Sequence, residues 1–205
     1  MFKVKVCGIT NEEDALLACE AGAGALGFIF YEQSPRFIDP FAAEKIISKL
    51  PASVRKVGVF VNAPVQEINT RFKFLDFAQL HGDESPEYCR QVTLPVIKVL
   101  RVQASFDSRE MESYNPVGFL FDTYNTVQRG GTGESFDWQI AREAKKYGRI
   151  ILSGGLNADN VLQAVNTALP DAVDVNSGVE AAPGKKDIKK LKSFFKVLKQ
   201  TYLTK

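Results

Sequence analysis

The sequence predicts an α/β fold, a single closed (β/α)8 TIM barrel, and three observations carry that expectation. A short apolar, β-rich segment followed by a helical pattern recurs eight times along the 205 residues. Strict alternation of strand and helix implies a parallel sheet. Eight such units in this length fit a closed barrel at the small end of its range, with a doubly wound open sheet as the structural runner-up.

The first strand is expected over Val4–Cys7, then a helix over Glu12–Glu20, where Thr10 and Glu13 have the spacing of a capping box. The second unit pairs Ala25–Phe30 with Pro40–Lys49, and the third pairs Val54–Val61 with Val65–Phe72. Phe77–Leu80 precedes a helix over Pro86–Gln91, for which Ser85 and Pro86 supply an N-cap and an N1 proline. The last four units pair Val96–Leu100 with Phe106–Tyr114, Gly118–Phe121 with Asp137–Tyr147, Arg149–Leu152 with Ala158–Thr167, and Ala172–Val175 with Lys186–Leu203. In the final helix Ile188, Leu191, Phe194, Phe195, Leu198 and Tyr202 form one apolar stripe.

No linker or low-complexity stretch divides the chain, so residues 1–205 are read as one domain. A formal net charge of +2 gives no electrostatic footprint for nucleic acid. Lys185, Lys186, Lys189, Lys190 and Lys192 cluster near the end and read as a solvated helix face. No apolar run reaches membrane-spanning length, and MFKVKVCGIT lacks the apolar core of a signal peptide. Cys7, Cys19 and Cys89 form no CxxC pair, which points to a reducing cytoplasm. Neither monomer nor homodimer is favoured. Gly22, Gly24 and Gly27 spell GxGxxG, but the match follows a helix and precedes a strand, the reverse of the dinucleotide-binding order.

In such barrels the active groups come from the C-terminal ends of the strands and the loops that follow. Gly154-Gly155 and Ser177-Gly178 follow strands seven and eight, where backbone N–H groups can cradle a phosphate. Gly131 and Gly133, after strand six, add to that glycine-rich rim. Strand alternation turns Cys7 inward with Lys5, and Asp174 inward from strand eight. Strands one and eight are neighbours in a closed barrel, so a Lys5–Asp174 pair is expected beneath Cys7, with positive charge favouring its thiolate.

Asp122 closes a wholly apolar strand, where a carboxyl in a water-poor setting suits proton donation. Arg36 lies in the loop after strand two and can grip a planar carboxylate. His81, the only histidine, and Gln79 are expected to line the pocket floor. No residues have the spacing of zinc ligands, and no metal site is expected.

KVCGIT at 5–10, GFIFYEQSPRF at 27–37, VGVFVN at 57–62, QLHGDE at 79–84, GGTGESFDW at 130–138, LSGGLNADNV at 152–161 and DVNSGVEAAPGKKD at 174–187 stand in order along nearly the whole chain. With these blocks the sequence closely resembles the N-(5'-phosphoribosyl)anthranilate isomerase family of tryptophan biosynthesis. One departure is Asn176, where the resemblance would place serine. The resemblance implies an Amadori rearrangement of the phosphoribosyl adduct to 1-(2-carboxyphenylamino)-1-deoxyribulose 5-phosphate, with Asp122 as general acid and Cys7 as general base. It also implies that Arg36 holds the anthranilate carboxylate and that the glycine loops hold the sugar phosphate. No cofactor is required, because the amine nitrogen supplies the iminium that acidifies the C2 proton. A related aldose–ketose isomerase of histidine biosynthesis would carry an acidic residue where this chain has Cys7. An indole-forming synthase would favour lysine and glutamate at its strand ends, and a non-catalytic phosphosugar-binding protein would need neither Cys7 nor Asp122.

Overall fold

The computed structural model describes residues 2–102, 106–122 and 138–201. Its centre is a closed parallel barrel of β1 (Val4–Val6), β2 (Ala25–Ile29), β3 (Arg55–Phe60), β4 (Phe77–Leu80), β5 (Val96–Arg101), β6 (Gly118–Asp122), β7 (Ile150–Ser153) and β8 (Ala172–Val175), hydrogen-bonded in chain order and shut by β1 against β8. Outside it lie α1 (Glu12–Ala21), α2 (Pro40–Ile47), α3 (Val65–Arg71), α4 (Pro86–Gln91), α5 (Trp138–Ala144), α6 (Val161–Ala168) and α7 (Ile188–Thr201). The open sheet is thereby excluded, and every expected strand is present to within two residues at either end.

Each strand is buried on both faces, as a parallel sheet requires. Inward positions near the strand starts are small or branched: Ala25, Val57, Ile97, Leu120, Ile151 and Ala172 pack into one plug. Outward positions meet the helices. On α7, Leu191, Phe194, Phe195 and Leu198 are fully buried, worth about 1.5–3 kcal/mol each in apolar transfer. Among the described residues no helix is long and apolar enough to cross a membrane.

Four local expectations need correction. Asn11, not Thr10, caps α1, its side chain accepting from the Asp14 N–H, while the Thr10 hydroxyl donates to the Gly184 carbonyl. The segment after β5 is a 3-10 helix, Ser108–Ser113, opened by the Asp107 side chain accepting from the Arg109 N–H. Ile188, placed on the buried stripe, is 41% exposed, and Tyr202 lies outside the described residues. A hairpin, β9 (Glu180–Ala182) with β10 (Lys185–Lys186), intervenes before α7 and takes Lys186 out of the helix. The Ser85 cap of α4 stands as expected, accepting from the Tyr88 N–H at 3.1 Å.

Candidate active site

Period-two alternation carries the inward face of each strand up to the mouth, two residues above the apolar plug. Lys5 and then Cys7 follow on β1, Asp122 lies two residues above Leu120 on β6, and Asp174 two above Ala172 on β8. Gln79 and His81 share this face at the end of β4. One strand end therefore receives charged and reactive side chains, while the other is closed by hydrocarbon.

The expected pair beneath Cys7 is present. Lys5 lies opposite Asp174 in the β1–β8 register, and its Nζ donates to Asp174 Oδ2 at 2.8 Å. Lys5 is fully buried and Asp174 nearly so, so each charge depends on the other for its stability. Burial works against the Lys5 ammonium, but Asp174 and the neighbouring Cys7 outweigh it and raise its pKa. Cys7 is 4% exposed, and its N–H donates to the Val175 carbonyl at 2.9 Å. The effect on the thiol differs from the sequence expectation: burial pushes its pKa up, and Lys5 lowers it only in part because Asp174 acts in the opposite sense. The cation thus offsets a desolvation that it does not overcome.

Gly27 explains how so much fits. A Cβ there would stand 2.7 Å from Cys7 Sγ and 2.9 Å from Lys5 Cε. The third glycine of the misleading GxGxxG match is therefore the space in which lysine and thiol stack.

Asp122 and His81 meet across the mouth, His81 Nε2 lying 3.1 Å from Asp122 Oδ2. Their side chains are 21% and 28% exposed, so this corner is wetter than the Cys7 wall, and the water-poor setting expected for Asp122 is corrected: the strand end opens onto the mouth. The loop carrying His81 is fixed by Glu84, which accepts from the Gly82 and Asn62 N–H groups and from buried Lys98 at 2.7 Å. Gln79, below His81, is fully buried, and its Oε1 has no hydrogen-bond partner among the described residues.

Arg36 reaches the rim from the loop after β2, and its guanidinium is held by Glu180. Nε donates to Glu180 Oε1 at 2.9 Å and Nη2 to Oε2 at 2.7 Å. Glu180 also accepts from Lys186 Nζ at 3.0 Å. Burial pushes the Glu180 carboxyl up, yet Arg36 and Lys186 hold it below its ordinary value. Burial leaves the Lys186 pKa lowered despite Glu180. Lys186 Nζ reaches Asn176 Oδ1 at 3.0 Å as well, which gives Asn176 a definite role. Sequence reasoning missed both Glu180 and Lys186; the lysine cluster concealed a buried member.

The loops after β7 and β8 lie side by side. Gly154 and Gly155 have φ of 89° and 62°, left-handed values that suit glycine, and the space beside Gly155 is open. Its carbonyl accepts from Asn160 Nδ2 at 3.0 Å. Ser177 is exposed. At Gly178 a Cβ would lie 1.9 Å from the Leu156 carbonyl oxygen, so only glycine lets the two loops touch. Gly131 and Gly133 lie outside the described residues. No cluster of potential metal ligands occurs among the described residues. A groove of about 530 Å³ between α1 and α7 lies on the outer wall, lined by Leu17, Leu191 and Phe195, away from the strand ends.

Comparison with known proteins agrees with this geometry. Residues 4–197 match the family described as N-(5'phosphoribosyl)anthranilate (PRA) isomerase. A relative of that name from Citrifermentans bemidjiense is 52% identical over 94% of each chain. The solved phosphoribosyl anthranilate isomerase of Thermotoga maritima superposes with a TM-score of 0.85 at 42% identity, covering 98% of this chain and all of the other. A further structure of a phosphoribosyl anthranilate isomerase, in complex with reduced 1-(o-carboxyphenylamino)-1-deoxyribulose 5-phosphate, gives 0.83 at 40% identity over 98% and 100% of the two chains.

Proposed function

The chain belongs to the N-(5'-phosphoribosyl)anthranilate isomerase family, aldose–ketose isomerases of tryptophan biosynthesis, and from that premise we propose that Cys7 and Asp122 are its base and acid. The observation that carries the proposal is their convergence: strands one and six deliver a thiol and a carboxyl to one mouth, with Asp174 influenced by groups on both sides.

Asp122, protonated, gives its proton to the furanose ring oxygen. The C1–O bond breaks, and the nitrogen lone pair forms the protonated Schiff base. Cys7 as thiolate then takes the C2 proton; that electron pair becomes the C1=C2 bond, and the iminium pair returns to nitrogen. The resulting enolamine gains a proton at C1 and loses one from the C2 hydroxyl, giving the ketose. Positive charge developing on the substrate nitrogen adds to that of Lys5, so the thiolate is favoured when it is required.

Arg36 takes the anthranilate carboxylate, in keeping with its planar fork at the rim. The loops around Gly154, Gly155, Ser177 and Gly178, with Gly131 and Gly133, take the sugar phosphate. Gln79, His81 and Asp174 line the pocket around the sugar, and no metal or redox cofactor has a part in these steps.

Purified protein supplied with freshly formed N-(5'-phosphoribosyl)anthranilate should consume its fluorescence. Cys7→Ala should lower turnover on the order of 10²–10⁴-fold while the thermal unfolding midpoint stays near that of the parent. Near-parental turnover in this variant would remove Cys7 from the role of base.

A further inference from the structure

Arg36 is a long side chain in a rim loop, and such residues ordinarily sample many rotamers. Here a turn places it and two side-chain contacts restrict it. Ser34 Oγ accepts from the Arg36 N–H at 3.1 Å and sets the turn. The Arg36 Cδ lies close against Gly8, where a Cβ would come within 2.9 Å of it. Glu180 then takes the Nε–Nη2 edge of the guanidinium with both carboxylate oxygens.

A guanidinium has a second bidentate edge, formed by Nη1 and Nη2. With the first edge occupied, this end is left for an incoming carboxylate, among the described residues. Glu180 is itself fixed: Lys186 Nζ and the Gly184 N–H both donate to its Oε1, at 3.0 and 3.2 Å. Lys186 is anchored in turn, its N–H donating to Asp14 Oδ2 on α1 at 2.7 Å.

We infer that Glu180, held by Lys186, is a positioning residue that aims the free end of Arg36 and so determines the enzyme's selectivity for an aryl carboxylate. The inference rests on the reading of Arg36 as the carboxylate receptor. Glu180 touches no reacting atom. Its effect is on recognition and falls on one part of the substrate.

The test compares kcat/KM for the phosphoribosyl adduct of anthranilate with that for the adduct of aniline, which lacks the carboxylate. Both are measured on one preparation, so the fraction of folded protein cancels in the ratio. Glu180→Gln should lower the ratio about tenfold, chiefly through KM for the anthranilate adduct, the effect of loosening a charge-assisted hydrogen bond. In an Arg36→Met background Glu180→Gln should leave the ratio unchanged. An equal loss for both adducts, which leaves the ratio unchanged, would mark Glu180 as merely structural and overturn the inference, as would parental values for both. If Arg36→Met itself leaves the ratio unchanged, the carboxylate-receptor reading fails, and the inference fails with it for that separate and recognisable reason.

Discussion

The two sides of the mouth place the two proposed proton-transferring groups differently. On the β1–β8 side Cys7 is 4% exposed and stands directly over a buried ion pair. On the β4–β6 side Asp122 and His81 are 21% and 28% exposed, and the buried pair there, Lys98 with Glu84, secures the loop and not the acid. A thiol deprived of water depends on nearby charge to ionise. A carboxyl at a wetter corner keeps contact with solvent. The contrast teaches that the thiol is governed by internal electrostatics, while the carboxyl keeps its access to water.

The largest effect expected from breaking this arrangement is on the proposed acid. Asp122→Asn preserves shape and removes the transferable proton, so turnover should fall on the order of 10²–10⁴-fold with little change in urea midpoint. A fall in stability matching the fall in turnover would show that the carboxyl is structural instead.

Next in size is Lys5→Met on the opposite wall. It strands Asp174 in a buried site, and loss of one partner of such a pair costs about 3–5 kcal/mol, readable by chemical denaturation. The equivalent change at an exposed pair, Arg109→Met beside Asp107, should be within about 1 kcal/mol of the parent. Similar costs for the two would contradict the burial argument.

Gly27→Ala probes how tightly the base wall is packed. Its methyl group would press on Cys7 Sγ and Lys5 Cε, an overpacking worth about 1–3 kcal/mol in stability, and turnover should fall with it. Parental turnover would mean that the thiol can shift without consequence.

Much of this site was legible because a parallel barrel obeys simple rules. Alternation placed Lys5, Cys7 and Asp174 on the inner face, and closure of the barrel brought Lys5 opposite Asp174 across 169 positions. The Ser85 cap followed from chemistry confined to a few residues. Contacts carried by irregular segments were not legible. The Glu180–Lys186 hairpin has no period to read, so Lys186 passed for a surface lysine although it is buried. Arg36 and Glu180 are 144 positions apart, on a loop and a hairpin whose mutual approach no barrel-strand pattern encodes. The Asp122–His81 contact depends on side-chain reach across the mouth, which alternation does not specify. Thr10 gave a plausible cap signal, but Asn11 stood one residue nearer the helix and took the position.

Cys7 is proposed as a desolvated base steadied by Lys5, and the pH dependence of its alkylation by iodoacetamide tests that directly. The thiolate is the form that reacts, so the alkylation rate rises with pH as Cys7 ionises. Burial raises its folded-state pKa, which places that rise above the ordinary thiol range near ~8.5. Lys5→Met removes the cation that lowers the pKa and should move the rise to still higher pH. A rise at or below the ordinary thiol value, or one that Lys5→Met leaves in place, would contradict the account.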